Sequence, residues 1–272
     1  MSGRFERFVV LCMVLGFGVM PAARGATVRV ASDISGAPFE YYPPNSHRPV
    51  GFDVDLLHAM FAKIGSPVAI VNHQFDDLLA AVRRGKFDAA MSAISDTRSR
   101  ENQVNFLDYF IAGGGIVVPA GNPQHIFGID ALCGYSVSVE NGTSYQGDLQ
   151  RQSSACQAIG LGSIRIATFA TDDEAFQAFL DGKTQTYVAD YPVGEFRARS
   201  ANDGKAIEVV GKQFDVVPYG IAVSKQNAGL MSTLQHALMA VVADGTYDML
   251  LKKWGLMRGG LRVAPINAGK RF

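Results

Sequence analysis

Strand-like apolar runs take turns with helically spaced segments along this chain, and the order of turns restarts once. Val28-Arg29-Val30-Ala31 reads as a strand, and a polar loop follows to about Pro49. Asp53 to Phe61 carries apolar residues at helical spacing, with Gly65 and Pro67 to end it. Val68 to Val71 is a second strand, Phe75 to Arg84 a second helix and Phe87 to Ser92 a third strand. That βαβαβ order belongs to a parallel sheet covered by helices on both faces. The pattern then begins again: strand Tyr135–Val139, helix Ser144–Cys156, strand Ile164–Thr168, helix Asp172–Leu180, strand Thr186–Ala189, helix Tyr191–Arg199. Two similar α/β lobes in tandem follow from this, without detectable sequence repetition. Between them lies an extended, glycine-rich run, Ala112 to Pro119, and a second extended run covers Val216 to Val223. Two helices, Leu230–Val242 and Tyr247–Trp254, close the pattern, broken at Asp244-Gly245.

The N-terminus is of another kind. Arg4 and Arg7 precede an apolar run of 13 residues, Phe8 to Met20, and Ala23-Arg24-Gly25 supplies small residues after it. The run is short of the ~20 apolar residues that a spanning helix needs, so residues 1–25 read as a secretory signal peptide. Cleavage near Gly25 or Ala26 delivers the chain to the periplasm. It removes Arg4, Arg7, Arg24 and Glu6, leaving 22 basic and 24 acidic residues. Such a balance builds no basic footprint for nucleic acid or an anionic membrane surface. Of the three cysteines, Cys12 goes with the signal; Cys133 and Cys156 remain. In an exported chain an even count reads as a disulfide, and with two the pairing is forced.

The chemistry concentrates where the third strand runs out, at Met91-Ser92-Ala93-Ile94-Ser95-Asp96-Thr97-Arg98-Ser99-Arg100. A planar guanidinium pairs a carboxylate through two parallel bonds, and hydroxyls and free amides fill its remaining lone pairs. The spacing Ser92, Ser95, Thr97, Arg100 resembles the Ser-x-x-Ser-x-Thr-x-x-Arg segment of the periplasmic amino-acid-binding proteins of ABC importers, bacterial solute-binding protein family 3. The resemblance covers nearly all of Thr27 to Leu256, and the Cys133 and Cys156 surroundings recur in one branch of that family.

The resemblance implies a type II periplasmic-binding-protein fold: two lobes, each a sheet flanked by helices, joined by a two-stranded hinge. Lobe one would hold residues 26–113 and 219–257, lobe two 118–214, with 258–272 a loosely ordered tail. It implies that Arg100, rather than Arg98, meets a ligand carboxylate together with Ser92 and Ser95. Thr143 or Ser144, at a helix start where free amides favour anions, would meet the same group from lobe two. Asp190 ends a strand at the carboxyl edge where open α/β sheets place ligands, and the matching family position takes the α-ammonium. Asp33 would face a polar or cationic side chain, and Phe75 would offer a ring face. Two departures stand out. Asp96 replaces an apolar or β-branched residue, so it is placed to compete for Arg100 or to touch a cationic ligand. Gly36 stands where several basic-amino-acid binders have tyrosine, which removes one aromatic wall and leaves arginine or lysine unselected.

Other chemistry has little support. The five histidines lack metal-ligand spacing, Gly113-Gly114-Gly115 lacks the end of a phosphate loop, and no nucleophile elbow occurs. No cofactor is expected. The leading reading is a monomeric, non-enzymatic receptor that captures a small zwitterion, a polar or basic L-amino acid, and hands it to the membrane permease of an ABC importer. The alternative is a periplasmic dehydratase of arogenate or prephenate on the same fold. It needs an acid–base group beside the leaving group, and no residue singles itself out for that work.

Overall fold

A computed structural model describes residues 26–269. The segment read as a signal peptide and the last three residues lie outside the described residues. The first half begins with β1 (Val28–Ser32), followed by a small hairpin of β2 (Ser35–Gly36) and β3 (Glu40–Tyr41) inside the stretch expected to be a polar loop. Helix α1 (Phe52–Ile64) ends on Gly65 in the left-handed conformation. Strand β4 (Val68–Asn72), helix α2 (Leu78–Arg83) and β5 (Ala89–Ala90) complete the unit, with β1 parallel to both flanking strands.

The third strand is thus shorter than expected. Beyond Ala90 the chain leaves the sheet, Ala93 takes a positive φ, and its N–H donates to the buried Asp53 carboxylate at 3.1 Å. One helical turn, α3 (Arg98–Glu101), capped by Thr97, leads into β6 (Asn105–Pro119).

The second half repeats the plan. Strand β7 (Ser136–Glu140) lies parallel between β8 (Arg165–Phe169) and β9 (Thr186–Asp190), with α4 (Ser144–Ala158), α5 (Asp172–Leu180) and α6 (Tyr191–Ser200) packed around them. Strand β10 (Ile207–Val223) returns antiparallel to β6, and α7 (Ala228–Ala243) and α8 (Thr246–Trp254) pack on α1. The strand order β4-β1-β5-β10-β6-β9-β7-β8 therefore puts the two α/β halves at opposite ends, with β6 and β10 running through both.

The halves are packed differently. The first is built on fully buried rings, Phe39, Phe52, Tyr109, Phe110, Tyr219 and Tyr247, in edge and tilted contacts such as Phe39 on Phe110 at 5.3 Å. The second has an aliphatic cluster around Ile116, Val137, Val139, Leu149 and Val188, with Phe179 stacked on the buried Tyr187 beside it. There the Cys133–Cys156 disulfide ties α4 to the segment before β7.

The register of β10 on β6 shifts near Phe214, where the strands pass between halves. A Cβ on Gly113 would overlap the Phe214 carbonyl, one on Gly114 the Phe214 ring, and one on Gly115 would press on Tyr191. None of the three takes a positive φ, so these glycines serve close approach at the crossing.

The tail corrects an expectation. Rather than loose, residues 258–269 lie along β6. Pro265 accepts from the Asp108 N–H at 3.0 Å, the Asn267 side chain accepts from Phe106 N–H at 2.8 Å, and Leu107 and Phe110 bridge to Ile266 and Gly260. The cause is an open edge. Strand β9 pairs β6 only over Gly114–Val117, so the backbone groups of Asn105 to Ile111 need another partner.

Candidate ligand cleft

The carboxyl ends of β1, β5, β7 and β9 converge on a narrow cleft between the halves. Seven of the eight ligand residues expected from sequence line it: Asp33, Phe75, Ser92, Ser95, Thr143, Ser144 and Asp190. From the first half, Asp33 follows β1, buried, and its carboxylate accepts from the Ser35 hydroxyl at 2.5 Å and the Phe75 N–H at 3.2 Å. Ser92 donates to Glu40 Oε1 at 2.9 Å. From the second half, Thr143 caps α4 by accepting from the Gln146 N–H, and the Ser144 hydroxyl meets that of Ser95 across the cleft at 3.2 Å.

Asp190 precedes α6 but caps nothing with its side chain. Its Oδ1 accepts from Tyr145 at 2.7 Å and from Tyr219, hydroxyls brought from different halves. Burial pushes its pKa up to about 6, against the pull of those two hydroxyls.

Arg100 is the eighth, and it stands just outside. Its Nη1 donates to the Ser95 carbonyl at 2.9 Å and its Nη2 crosses to the Gly142 carbonyl at 3.0 Å, with the guanidinium 5.6 Å over the Phe75 ring. It faces an adjoining cleft with Thr97 and Gly142. Arg98 is exposed, and of the two arginines only Arg100 bonds across the gap between halves. Gly142 allows the approach: its φ is +79°, and a Cβ would press on Asp76, whose side chain accepts from Asn141 at 2.8 Å. A third set of cross-cleft bonds comes from Ser35, whose hydroxyl accepts from Asp172 N–H at 3.1 Å and whose carbonyl accepts from Arg197 at 3.0 Å.

Asp96 does neither thing expected of it. It is fully buried and turned from the cleft toward the tail, where Oδ2 accepts from Gly269 N–H at 2.8 Å. Gly36 does line the cleft; a Cβ there would sit 3.2 Å from Glu40 Oε1, so a larger side chain would press on that carboxyl.

Sequence reasoning missed how acidic the cleft is. Glu40, Glu140 and Asp172 line it beside Asp33 and Asp190, and among the described residues no basic side chain does. Glu40 is held well above its ordinary pKa by burial and by the neighbouring Asp53 carboxylate, which accepts from Tyr109 at 2.7 Å. Asp172, in the first turn of α5, is buried, pairs with Arg197 at 2.7 Å and accepts from Tyr187. Glu140 ends β7 with Oε1 buried and unpartnered. Its position between a strand and Asn141-Gly142-Thr143 was the available signal.

Comparison with known proteins places this geometry. The model of bacterial extracellular solute-binding proteins, family 3, matches residues 28–257. The chain is 27% identical over 248 residues to ABC transporter arginine-binding protein 1 of Escherichia coli (strain K12), across 90% of this chain and 98% of that one. An ancestral arginine-binding protein bound to arginine superposes with a TM-score of 0.75 at 33% identity, covering 84% of this chain and 97% of its own. The ancestral amino acid-binding protein that is a precursor of cyclohexadienyl dehydratase gives 0.72 at 29%, covering 84% and 95%. Among the described residues no helix is long and apolar enough to cross a membrane. Matched over almost all its described length, the chain belongs to the bacterial extracellular solute-binding proteins of family 3.

Proposed function

We propose that this protein is a periplasmic receptor that captures a polar or basic L-amino acid, acting as a monomer after signal cleavage near Gly25 or Ala26, and delivers it to the permease of an ABC importer. One observation carries the reading: a guanidinium and an unneutralised carboxyl flank one small cleft, tied together by bonds from both halves. Asp190 takes the α-ammonium on Oδ2, since both tyrosine bonds fall on Oδ1. Arg100 takes the carboxylate with Ser92, Ser95, Thr143 and Ser144. Two of its five N–H groups are spent on main-chain carbonyls, and the others stay available. Asp33 faces the ligand side chain and Phe75 its stem. A zwitterion read at both ends favours the closed arrangement of the halves, which is how a receptor of this kind signals that it is loaded.

Relatives named as arginine- and histidine-binding proteins support this reading. The dehydratase alternative has less behind it: even the relative of that enzyme is named as an amino acid-binding precursor. Calorimetry tests the assignment. Arg100→Ala should cost roughly 2–5 kcal/mol of amino-acid binding, because it leaves a buried carboxylate unpaired. Arg98→Ala should cost under about 1 kcal/mol, as exposed charges do. The reverse ranking would place the carboxylate site on Arg98.

A further inference from the structure

We propose that Glu140 is the residue that makes the cleft select a cationic side chain, holding a guanidinium or ammonium against Asp33 from the opposite half. This rests on the amino-acid-receptor reading above and names what that receptor prefers.

The carboxyls of the cleft differ in what already satisfies them. Glu40 lies beside Asp53, turned to the first half, and accepts from Ser92. Asp172 has Arg197 and Tyr187. Asp190 has two tyrosine hydroxyls and is assigned the α-ammonium. Asp33 has Ser35 and the Phe75 N–H. Glu140, 8% exposed and lining the cavity, accepts from the Asp172 N–H but has no side-chain donor, and its Oε1 is without a hydrogen bond. An orphaned acceptor in such a place costs free energy unless a ligand supplies the donor.

Position agrees with that role. Glu140 ends β7 in the second half and Asp33 follows β1 in the first, both at carboxyl ends of strands facing the same space. A cation between them is held by both halves, as the ligand's charged ends are by Asp190 and Arg100. Gly36 keeps this end of the cleft open, where a larger residue would crowd Glu40.

The charge balance gives a second signature. Glu140 faces Asp33, Asp172 and Asp190, and burial together with these acids holds its pKa well above the ordinary value. A raised pKa favours the neutral form of Glu140 and a cation beside it favours the charged form, so binding of a cationic side chain should draw a proton off the carboxyl into solvent. A neutral side chain leaves the proton in place and accepts a hydrogen bond from it.

L-arginine and L-citrulline separate these cases, since the guanidinium and the ureido group have nearly the same shape. Titration of wild type, Glu140→Gln and Asp33→Asn by calorimetry, in two buffers of different ionisation enthalpy, reads both affinity and protons. Wild type should favour arginine and release a proton only with arginine. Glu140→Gln should lower the arginine-to-citrulline ratio about tenfold or more, the loss of one charge-assisted contact, and abolish the proton release. Asp33→Asn should lower the ratio in the same direction. Thermal melting of Glu140→Gln at or above wild type confirms that it is folded. An unchanged ratio with both ligands still bound overturns the role of Glu140 while the receptor reading stands. Wild type binding neither ligand nor any other amino acid overturns that reading and the role of Glu140 with it.

Discussion

Two groups of buried carboxyls lie in this molecule, one in the cleft and one beneath the tail, and they meet the same electrostatic problem differently. Under the tail, Asp108 and Asp96 are both fully buried and share a proton, with Asp108 pushed up to about 8 by burial and by Asp96. Their outer oxygens are met by the chain itself: Ala268 N–H reaches Asp108 at 3.1 Å and Gly269 N–H reaches Asp96 at 2.8 Å. In the cleft, Glu40 accepts from Ser92 and Asp53 from Tyr109, whereas Glu140 accepts from the Asp172 N–H and keeps a buried Oε1 without a donor. Where the fold supplies the partner the acids lock a segment in place; where it leaves one out, a ligand has a reason to enter.

Cutting the tail should test the first half of that statement with the largest effect. A chain ending at Arg262 loses the backbone donors over Asp96 and Asp108 and reopens the β6 edge, so unfolding stability should fall by roughly 3–5 kcal/mol. Affinity for an amino acid, measured well below the melting temperature, should hold within about twofold, since none of the described tail residues, 258–269, lines the cleft. Unchanged melting would mean the tail bonds are ornamental.

Reducing the disulfide acts on the other half of the sheet. Cys133 and Cys156 close a loop with a separation of 23 residues, for which the chain-entropy model gives a stabilisation of about 3 kcal/mol. The melting temperature should drop on reduction, and two thiols should become alkylatable only afterwards. The pH dependence should keep its shape, because the bond touches neither acid group.

A smaller effect separates the acids by pH. The folded pKa of Asp108, about 8, lies above the unfolded value, so the folded chain holds a proton that the unfolded chain has lost. That contribution is complete below about pH 4 and disappears as the pH rises toward 8. Asp108→Asn keeps a donor toward Asp96 at every pH. Denaturant unfolding from pH 5 to 8 should therefore show wild type declining relative to the variant, by on the order of 2 kcal/mol over that range. Parallel profiles would mean that Asp108 titrates as an ordinary surface acid.

How much of this was legible in the sequence depends on the kind of signal. The α/β alternation was readable from its periodicity, whereas the seven residues that line the cleft came from the family resemblance. Glu140 escaped because Ser136-Val137-Ser138-Val139-Glu140 alternates like a strand with one wet face, whereas helices cover both faces here and Ser138 is fully buried. The docking of residues 258–269 escaped because it is made largely through backbone bonds to a strand edge, which leave no side-chain period to read. The position of Arg100 depends on how closely Gly142 of the second half approaches Ser95 of the first, a tertiary distance with no local signature.

The sharpest test of a zwitterion read from opposite sides is calorimetric titration of L-arginine against agmatine, which lacks only the carboxylate. Arg100 has no counterpart to pair with in agmatine, so arginine should bind about a hundredfold more tightly, and Arg100→Ala should erase most of that gap. Agmatine binding as tightly as arginine, with Arg100→Ala indifferent to both, would show that no carboxylate is read in this cleft.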